Sequence, residues 1–247
     1  MKTYEQPKHA DAASPRRNSY GRSRGKALRK HHASLVVSGL PGLEIDLSKP
    51  LRPDNLFRPG VGEVWLEVGF GGGEHLLRQA SAHPDVGFIG CEPFINGVAK
   101  LLAGIEAASL TNVKIRSADA QTLLAAMPAE SLSRAFVLYP DPWPKRRQHK
   151  RRIVSTQFLA ELSRVLRPGA VVRLATDIDD YAGWIISRFL ESGDFLWGAK
   201  GAEDWRRPWN DWQATRYEIK AKRGGRAPVY LTFERVGPSG SASRGAP

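Results

Sequence analysis

Cysteine is nearly absent from the chain: Cys91 is the only one among 247 residues. A single thiol excludes an internal disulfide and any zinc site that needs two or more thiolates, and such usage is expected in a reducing cytoplasm. Long apolar runs are missing as well. No stretch is long enough to span a bilayer, and the basic N-terminus is not followed by the apolar segment of a signal peptide. The chain is therefore expected to be soluble, unexported and free of membrane contact. His31, His32 and His149 lack metal-ligand company, so no metal is expected.

Acid is scarce, with 25 Asp/Glu against 37 Lys/Arg and a formal net charge of +12. The excess sits in two segments. Residues 1–34 carry nine Lys/Arg against Glu5 and Asp11, and residues 145–152 carry six Lys/Arg and no acid, which leaves the rest near neutrality. Cations concentrated in this way point to a polyanion held at defined places, with binding that weakens steeply in salt. No obligatory protein partner is evident.

The apolar share of 41% is ample for one core and one α/β domain with extensions. Residues 1–34, with Tyr20-Gly21-Arg22-Ser23-Arg24-Gly25-Lys26 at their centre, cannot bury enough apolar surface to offset backbone ordering. They are expected to form a flexible basic arm. The domain then covers residues 35–236, its first part reading as a cover over the domain edge, and residues 237–247 read as a frayed Gly/Ser-rich tail.

Within the domain, strands are predicted at Glu63–Val68, Val86–Cys91, Val113–Arg116, Arg134–Tyr139 and Ala170–Thr176. Helices alternate with them. These fall at Glu74–Ser81, along the face Ile95, Val98, Leu102 and Ile105, at Gln121–Ala126, over Phe158–Leu166 with Pro168-Gly169 as the stop, and along Ile178, Tyr181, Ile185 and Phe189. Thr215-Arg216-Tyr217-Glu218 fits a capping box for a short helix ending at Gly224-Gly225, and Val229–Arg235 reads as a last, antiparallel strand. The fold class is therefore α/β, a mostly parallel sheet flanked by helices on both faces, with ligands beyond the carboxyl ends of its strands.

Acids stand at those ends: Glu67, Glu92, Asp119, Asp141 and Asp177 each fall at or just after a predicted strand. Any one of them would pass as a helix cap. Five in succession point to one functional edge. Asp141 lies in Tyr139-Pro140-Asp141-Pro142-Trp143-Pro144, where three alternate prolines fix φ near −65° and hold the acid on a stiff loop. The cations Lys145 to Arg152 follow at once. Four tryptophans, Trp197, Trp205, Trp209 and Trp212, crowd the region before Thr215, and such residues are more often core than base-stacking platforms.

A dinucleotide fingerprint beginning at Gly69 would need a third glycine at position 74, where Glu74 stands. That reading fails. The pattern Glu67-x-Gly69-x-Gly71-x-Gly73 instead resembles the glycine loop of class I S-adenosylmethionine-dependent methyltransferases. Such a loop lets backbone pass beneath a methionyl group that has no phosphate. Together with Tyr139 to Lys145 and Thr215-Arg216-Tyr217-Glu218, the sequence from about Glu63 to Arg235 is similar to the bacterial tRNA (guanine-N7)-methyltransferases.

The resemblance implies a Rossmann-like class I methyltransferase fold, S-adenosylmethionine as methyl donor and tRNA as partner. It implies cofactor binding by Glu67, Gly69, Glu92, Asp119 and Asp141, with Asp141 also catalytic. Substrate contacts would come from Lys145, Asp177, Thr215, Arg216, Tyr217 and Glu218, and RNA binding from Arg147, Gln148, His149, Lys150, Arg151 and Arg152. The implied target is the variable-loop guanine 46. A non-catalytic RNA-binding subunit on the same fold would be expected to lose acids that are all present here. A methyltransferase acting on an exocyclic amino group usually has a doubled proline, which Asp141-Pro142-Trp143 lacks.

Replacing Arg147, Lys150 and Arg151 together is expected to weaken tRNA binding and to flatten the plot of log affinity against log salt concentration. An unchanged slope in a salt titration would remove these cations from the RNA interface.

Overall fold

Five strands form the parallel part of the sheet: β1 (Glu63–Val68), β2 (Val86–Cys91), β3 (Val113–Arg116), β4 (Leu132–Leu138) and β5 (Leu166–Thr176). The central β1 and β2 are apolar runs buried on both faces, as a parallel sheet covered by helices requires, while the edge strand β3 alternates buried Val113 and Ile115 with half-buried Lys114 and Arg116. The structure is a computed structural model that describes residue 21 and residues 23–237. Most of the basic arm and the tail beyond residue 237 lie outside the described residues.

The helices are α1 (Lys30–Ser38), α2 (Leu40–Leu43), α3 (Glu74–Ala82), α4 (Ile95–Ala108), α5 (Ala120–Ala126), α6 (Thr156–Val165), α7 (Asp179–Ser192), α8 (Glu203–Arg206) and α9 (Arg216–Arg223). Residues Arg146–Arg151 form a 3-10 helix, and two more strands, β6 (Phe195–Trp197) and β7 (Val229–Arg235), complete the sheet. Its order is β3-β2-β1-β4-β5-β7-β6. β7 runs antiparallel to β5, and β6 antiparallel to β7. The chain reverses direction of progress between β1 and β4, which is where a doubly wound sheet opens its ligand crevice.

Alternation along β1 builds two cores. Val64, Leu66 and Val68 join Leu123, Phe158, Leu162 and Tyr181 from α5 to α7. Trp65 joins Val36, Leu76, Val98 and Leu101 from α1, α3 and α4. The parallel register then sets the carboxyl ends level: Val68 lies opposite Cys91 and Val137, and Cys91 opposite Arg116. Acids just past those positions arrive on one edge.

Three expectations need correction. α6 stops before Pro168-Gly169, because the carbonyls of Arg164 and Val165 accept from the N–H groups of Glu130 and Ser131 at the entry to β4. Pro168-Gly169 lie within β5, at an irregularity where the register jumps from Leu132–Leu166 to Arg134–Val171. β6 was not predicted; at three residues on a sheet edge it has no readable period. The arm, expected to be flexible to residue 34, is already packed on α4 from Ser23. Ser23 O accepts from Ile95 N at 3.1 Å, Gly25 N donates to Asn96 Oδ1 at 2.8 Å, and Asn96 Nδ2 donates to Lys26 O at 2.7 Å. Residues 35–60 do cover an edge, where Ile45 N donates to Ile115 O of β3.

α4 presses its first turn against the loop after β1. A Cβ placed on Gly97 would lie 2.1 Å from Gly71 O, so only glycine fits. Ala in place of Gly would ordinarily favour a helix by about 0.5–1 kcal/mol. Gly97→Ala is expected to destabilise instead, by about 1–3 kcal/mol of overpacking, read as a lower Tm in thermal denaturation. A raised Tm would show that the two segments are free to separate.

Candidate active site at the carboxyl edge of the sheet

The turn after β1 is shaped by three glycines with positive φ, Gly69 at 74°, Gly71 at 57° and Gly73 at 81°. Side chains rarely adopt that region, so the turn can curl tightly beneath a ligand. Glu92, directly after β2, fixes it. Its Oε2 accepts from Gly71 N at 2.8 Å and its Oε1 from Phe94 N at 3.0 Å. Burial pushes the Glu92 carboxyl above its usual range, the two N–H groups oppose that, and the nearby Asp141 adds to it. Each oxygen keeps a lone pair for a further donor such as a ribose hydroxyl.

Glu67 is 5% exposed, and its Oε2 lies 2.7 Å from Nδ1 of the equally buried His75. Asp119 caps α5, accepting from Gln121 N at 2.9 Å and Thr122 N at 3.4 Å. Asp177, at the end of β5, pairs with Arg226 at 2.5 Å. Asp141 is exposed on its proline loop, which begins and ends in strained backbone: Tyr139 has φ 50° and Trp143 φ 42°. All five acids thus stand along the edge that the register defines.

A narrow cleft there is lined by Glu67, Gly69, Phe70, Glu74, His75 and neighbouring residues including Tyr139 and Tyr217. α9 closes it. Thr215 Oγ1 accepts from Glu218 N at 3.3 Å, the first half of the expected capping box. The second half is not made. The Glu218 carboxylate, in a residue 1% exposed, turns inward to accept from Trp212 Nε1 at 2.6 Å, Tyr139 Oη at 3.2 Å and Lys222 Nζ at 2.6 Å. Burial pushes this carboxyl up, but hydrogen bonds from Lys222, Trp212 and Tyr230 outweigh it and hold it below the usual range.

Arg216 and Tyr217 lie over the glycine turn. Arg216 pairs with Glu74 at 3.3 Å, and the Tyr217 hydroxyl is 3.1 Å from where a Cβ on Gly71 would stand. The Tyr217 ring stacks on Tyr139, with centroids 6.4 Å apart. The residues of the turn and of its carboxylate frame fit a methionyl nucleoside: close backbone without a phosphate anchor, and acids for its cationic and hydroxyl groups.

Of the basic segment, Lys145, Arg146, Arg147 and Lys150 are exposed and Gln148, His149 and Arg151 half-buried, with the Arg151 guanidinium 5.0 Å from the Trp143 ring. Arg152 differs. It is 3% exposed, donates to Pro142 O at 2.9 Å, pairs with Asp180 and packs against the rings of Tyr181 and Trp184. Its hydrogen bond holds the Asp180 carboxyl below the usual range. Arg152 therefore ties the proline loop to α7, and its guanidinium is buried where an RNA-facing side chain was expected. His75, Tyr139 and Trp212 were not assigned to the site from sequence; Tyr139 stood inside the proline motif and Trp212 in the tryptophan-rich segment, whereas His75 carried no signal.

Among the described residues no group of His, Cys, Asp and Glu is arranged to hold a metal ion, and no helix is long and apolar enough to cross a membrane.

A family model described as "Putative methyltransferase" matches residues 62–231. Among solved structures, one titled "Structure of an antibiotic related Methyltransferase" aligns with a TM-score of 0.52 at 15% identity, covering 78% of this chain and 96% of that one, a likeness of fold alone. Curated relatives are much nearer. The tRNA (guanine-N(7)-)-methyltransferase of Ruegeria sp. (strain TM1040) is 50% identical over 236 residues, 92% of this chain and 91% of its own length. The proteins of the same name from Rhodopseudomonas palustris (strain BisB18) and Nitrobacter hamburgensis are 48% and 47% identical, covering 92% and 94% of this chain and 91% and 94% of their own lengths. With half its residues shared across nearly its whole length, and with the glycine turn, the proline loop and the α9 motif assembled on one edge, the chain belongs to the tRNA (guanine-N7)-methyltransferase family.

Proposed function

We propose that the protein transfers the methyl group of S-adenosylmethionine to N7 of the guanine at variable-loop position 46 of tRNA, in the cytoplasm and without an obligatory protein partner. The observation that carries this reading is the meeting of five strand-end acids, a glycine turn without a phosphate anchor and a stiff acid loop that runs into a row of cations.

When bound, the cofactor supplies an electrophilic methyl group on a sulfonium. Gly69 and the turn admit the methionyl part, Glu67 meets its cationic end, Glu92 accepts from the ribose hydroxyls, and Asp119 receives the adenine amino group. Guanine N7 is an in-plane lone pair bearing no proton, so no residue has to act as general base. What the protein supplies is alignment, an effect that reaches roughly 7–11 kcal/mol in favourable cases. Methylation leaves the purine cationic, and the Asp141 carboxylate favours that developing charge over the neutral base.

Asp177, which has Arg226 on one oxygen, keeps more acceptor capacity for the guanine N1 and N2 protons than Glu218, whose carboxylate already takes hydrogen bonds from Trp212, Tyr139, Lys222 and Tyr230. Adenine lacks that donor pattern and would forgo those hydrogen bonds. Lys145, Thr215, Arg216 and Tyr217 complete the substrate wall, with Arg147, Gln148, His149, Lys150 and Arg151 along the RNA backbone. N7 sits on the major-groove edge, which is deep and narrow in helical RNA, so the target has to be a loop base.

A tRNA transcript carrying 7-deazaguanosine at position 46 is expected to bind as well as the guanosine transcript and to take up no methyl label. Asp141→Ala is expected to bind tRNA normally while losing about 10²–10³-fold in kcat. Full labelling of the 7-deaza transcript would contradict the assigned position or the assigned atom.

A further inference from the structure

Trp212 belongs to the tryptophan-rich segment before α9, which the functional reading leaves without a task. Its ring does not serve as an open stacking platform: it packs edge-on to Trp209 at 5.4 Å and to Tyr230 at 5.8 Å. On another side it meets His75 at 5.6 Å. Its indole N–H points at Glu218 Oε2, at 2.6 Å the shorter of the two hydrogen bonds that this oxygen receives.

Two neighbours make this position unusual. His75, which the Trp212 ring supports, lies 2.7 Å from the buried carboxylate of Glu67. A carboxylate only accepts, so Nδ1 is the donor, and Nε2 is left buried with no hydrogen-bond partner. Glu218, which Trp212 binds, is joined through Tyr139 to the start of the loop that carries Asp141. One indole therefore stands between the acid on the cofactor side and the helix on the guanine side.

We propose that Trp212 is a positioning residue for tRNA recognition: by holding the Glu218 carboxylate it seats the first turn of α9, with Arg216 and Tyr217, against the glycine turn and the Asp141 loop. This rests on the assignment of α9 to the substrate wall. Without the N–H, Glu218 keeps Tyr139, Tyr230 and Lys222 but loses its shortest neutral donor, and α9 gains freedom that tRNA binding then has to remove. The cofactor side keeps its ring support, because phenylalanine still fills the space against His75.

The test compares Trp212→Phe with Trp209→Phe in the full chain. Trp209 belongs to the same aromatic cluster but donates to Thr232 Oγ1 at 2.8 Å, away from Glu218. Trp212→Phe is expected to raise KM for tRNA about tenfold or more, while KM for S-adenosylmethionine stays within about twofold. Trp209→Phe is expected to leave both constants unchanged. Since Trp212 acts through Glu218, adding Trp212→Phe to Glu218→Ala, which leaves the indole no acceptor there, is expected to raise KM for tRNA no further.

Tyr139→Phe, which removes the other donor to the same oxygen, shifts KM for tRNA in the same direction and keeps the test open should Trp212→Phe fail to fold. Equal effects of the two tryptophan changes, an additive effect on top of Glu218→Ala, or an unmoved KM for tRNA in Tyr139→Phe would overturn the proposal. A wild-type protein that fails to methylate tRNA would instead overturn the functional reading, so the two failures are distinct.

Discussion

The level register of five parallel strands is the constraint on which the site depends. Because β1, β2, β3 and β4 are paired in step, their carboxyl ends stop together, and the acids that end or follow them gather at one edge. A shift of one residue in β1 would turn Glu67 from one face of the sheet to the other and exchange its place with Leu66 or Val68. The core residues that prevent such a slip are therefore also what aims the acids.

That edge is kept tight by approach of backbone to backbone. Gly97 at the head of α4 touches the carbonyl of Gly71, and Glu92 holds the N–H of the same residue. From the opposite side, the buried carboxylate of Glu218 binds the proline loop, the tryptophan cluster and α9 into one unit. A buried carboxylate is costly unless its lone pairs are filled, and here hydrogen bonds from several elements fill them. The cations behave in the opposite manner. Lys145, Arg146, Arg147 and Lys150 remain in solvent after Asp141, while Arg152 is drawn inward to fasten the loop that precedes them.

Much of this was legible in the chain because the informative signals are local. Continuous apolar runs in β1 and β2, helix faces at spacings of three and four in α4 and α7, and acids directly after strands all follow from periodicity and burial. The glycine turn and the proline loop were legible because glycine and proline restrict backbone in known ways. What stayed hidden depends on partners far along the sequence. Arg152 looks like its neighbours in a charge run, and only the carbonyl of Pro142 and the carboxylate of Asp180 distinguish it. Glu218 reads as a capping-box acid, yet two of its partners arrive from the loop after β4 and from the tryptophan segment. β6 depends on the edge that β7 offers, and Ser23 to Lys26 are held by Ile95 and Asn96 of α4.

The most direct test of the central claim is incubation of the purified protein with bulk tRNA and methyl-labelled S-adenosylmethionine, followed by digestion to nucleosides and identification of the labelled species. The account predicts label in N7-methylguanosine alone. Label in any other nucleoside would contradict the assignment of the base, and an absence of label despite salt-sensitive tRNA binding would contradict catalysis at this edge.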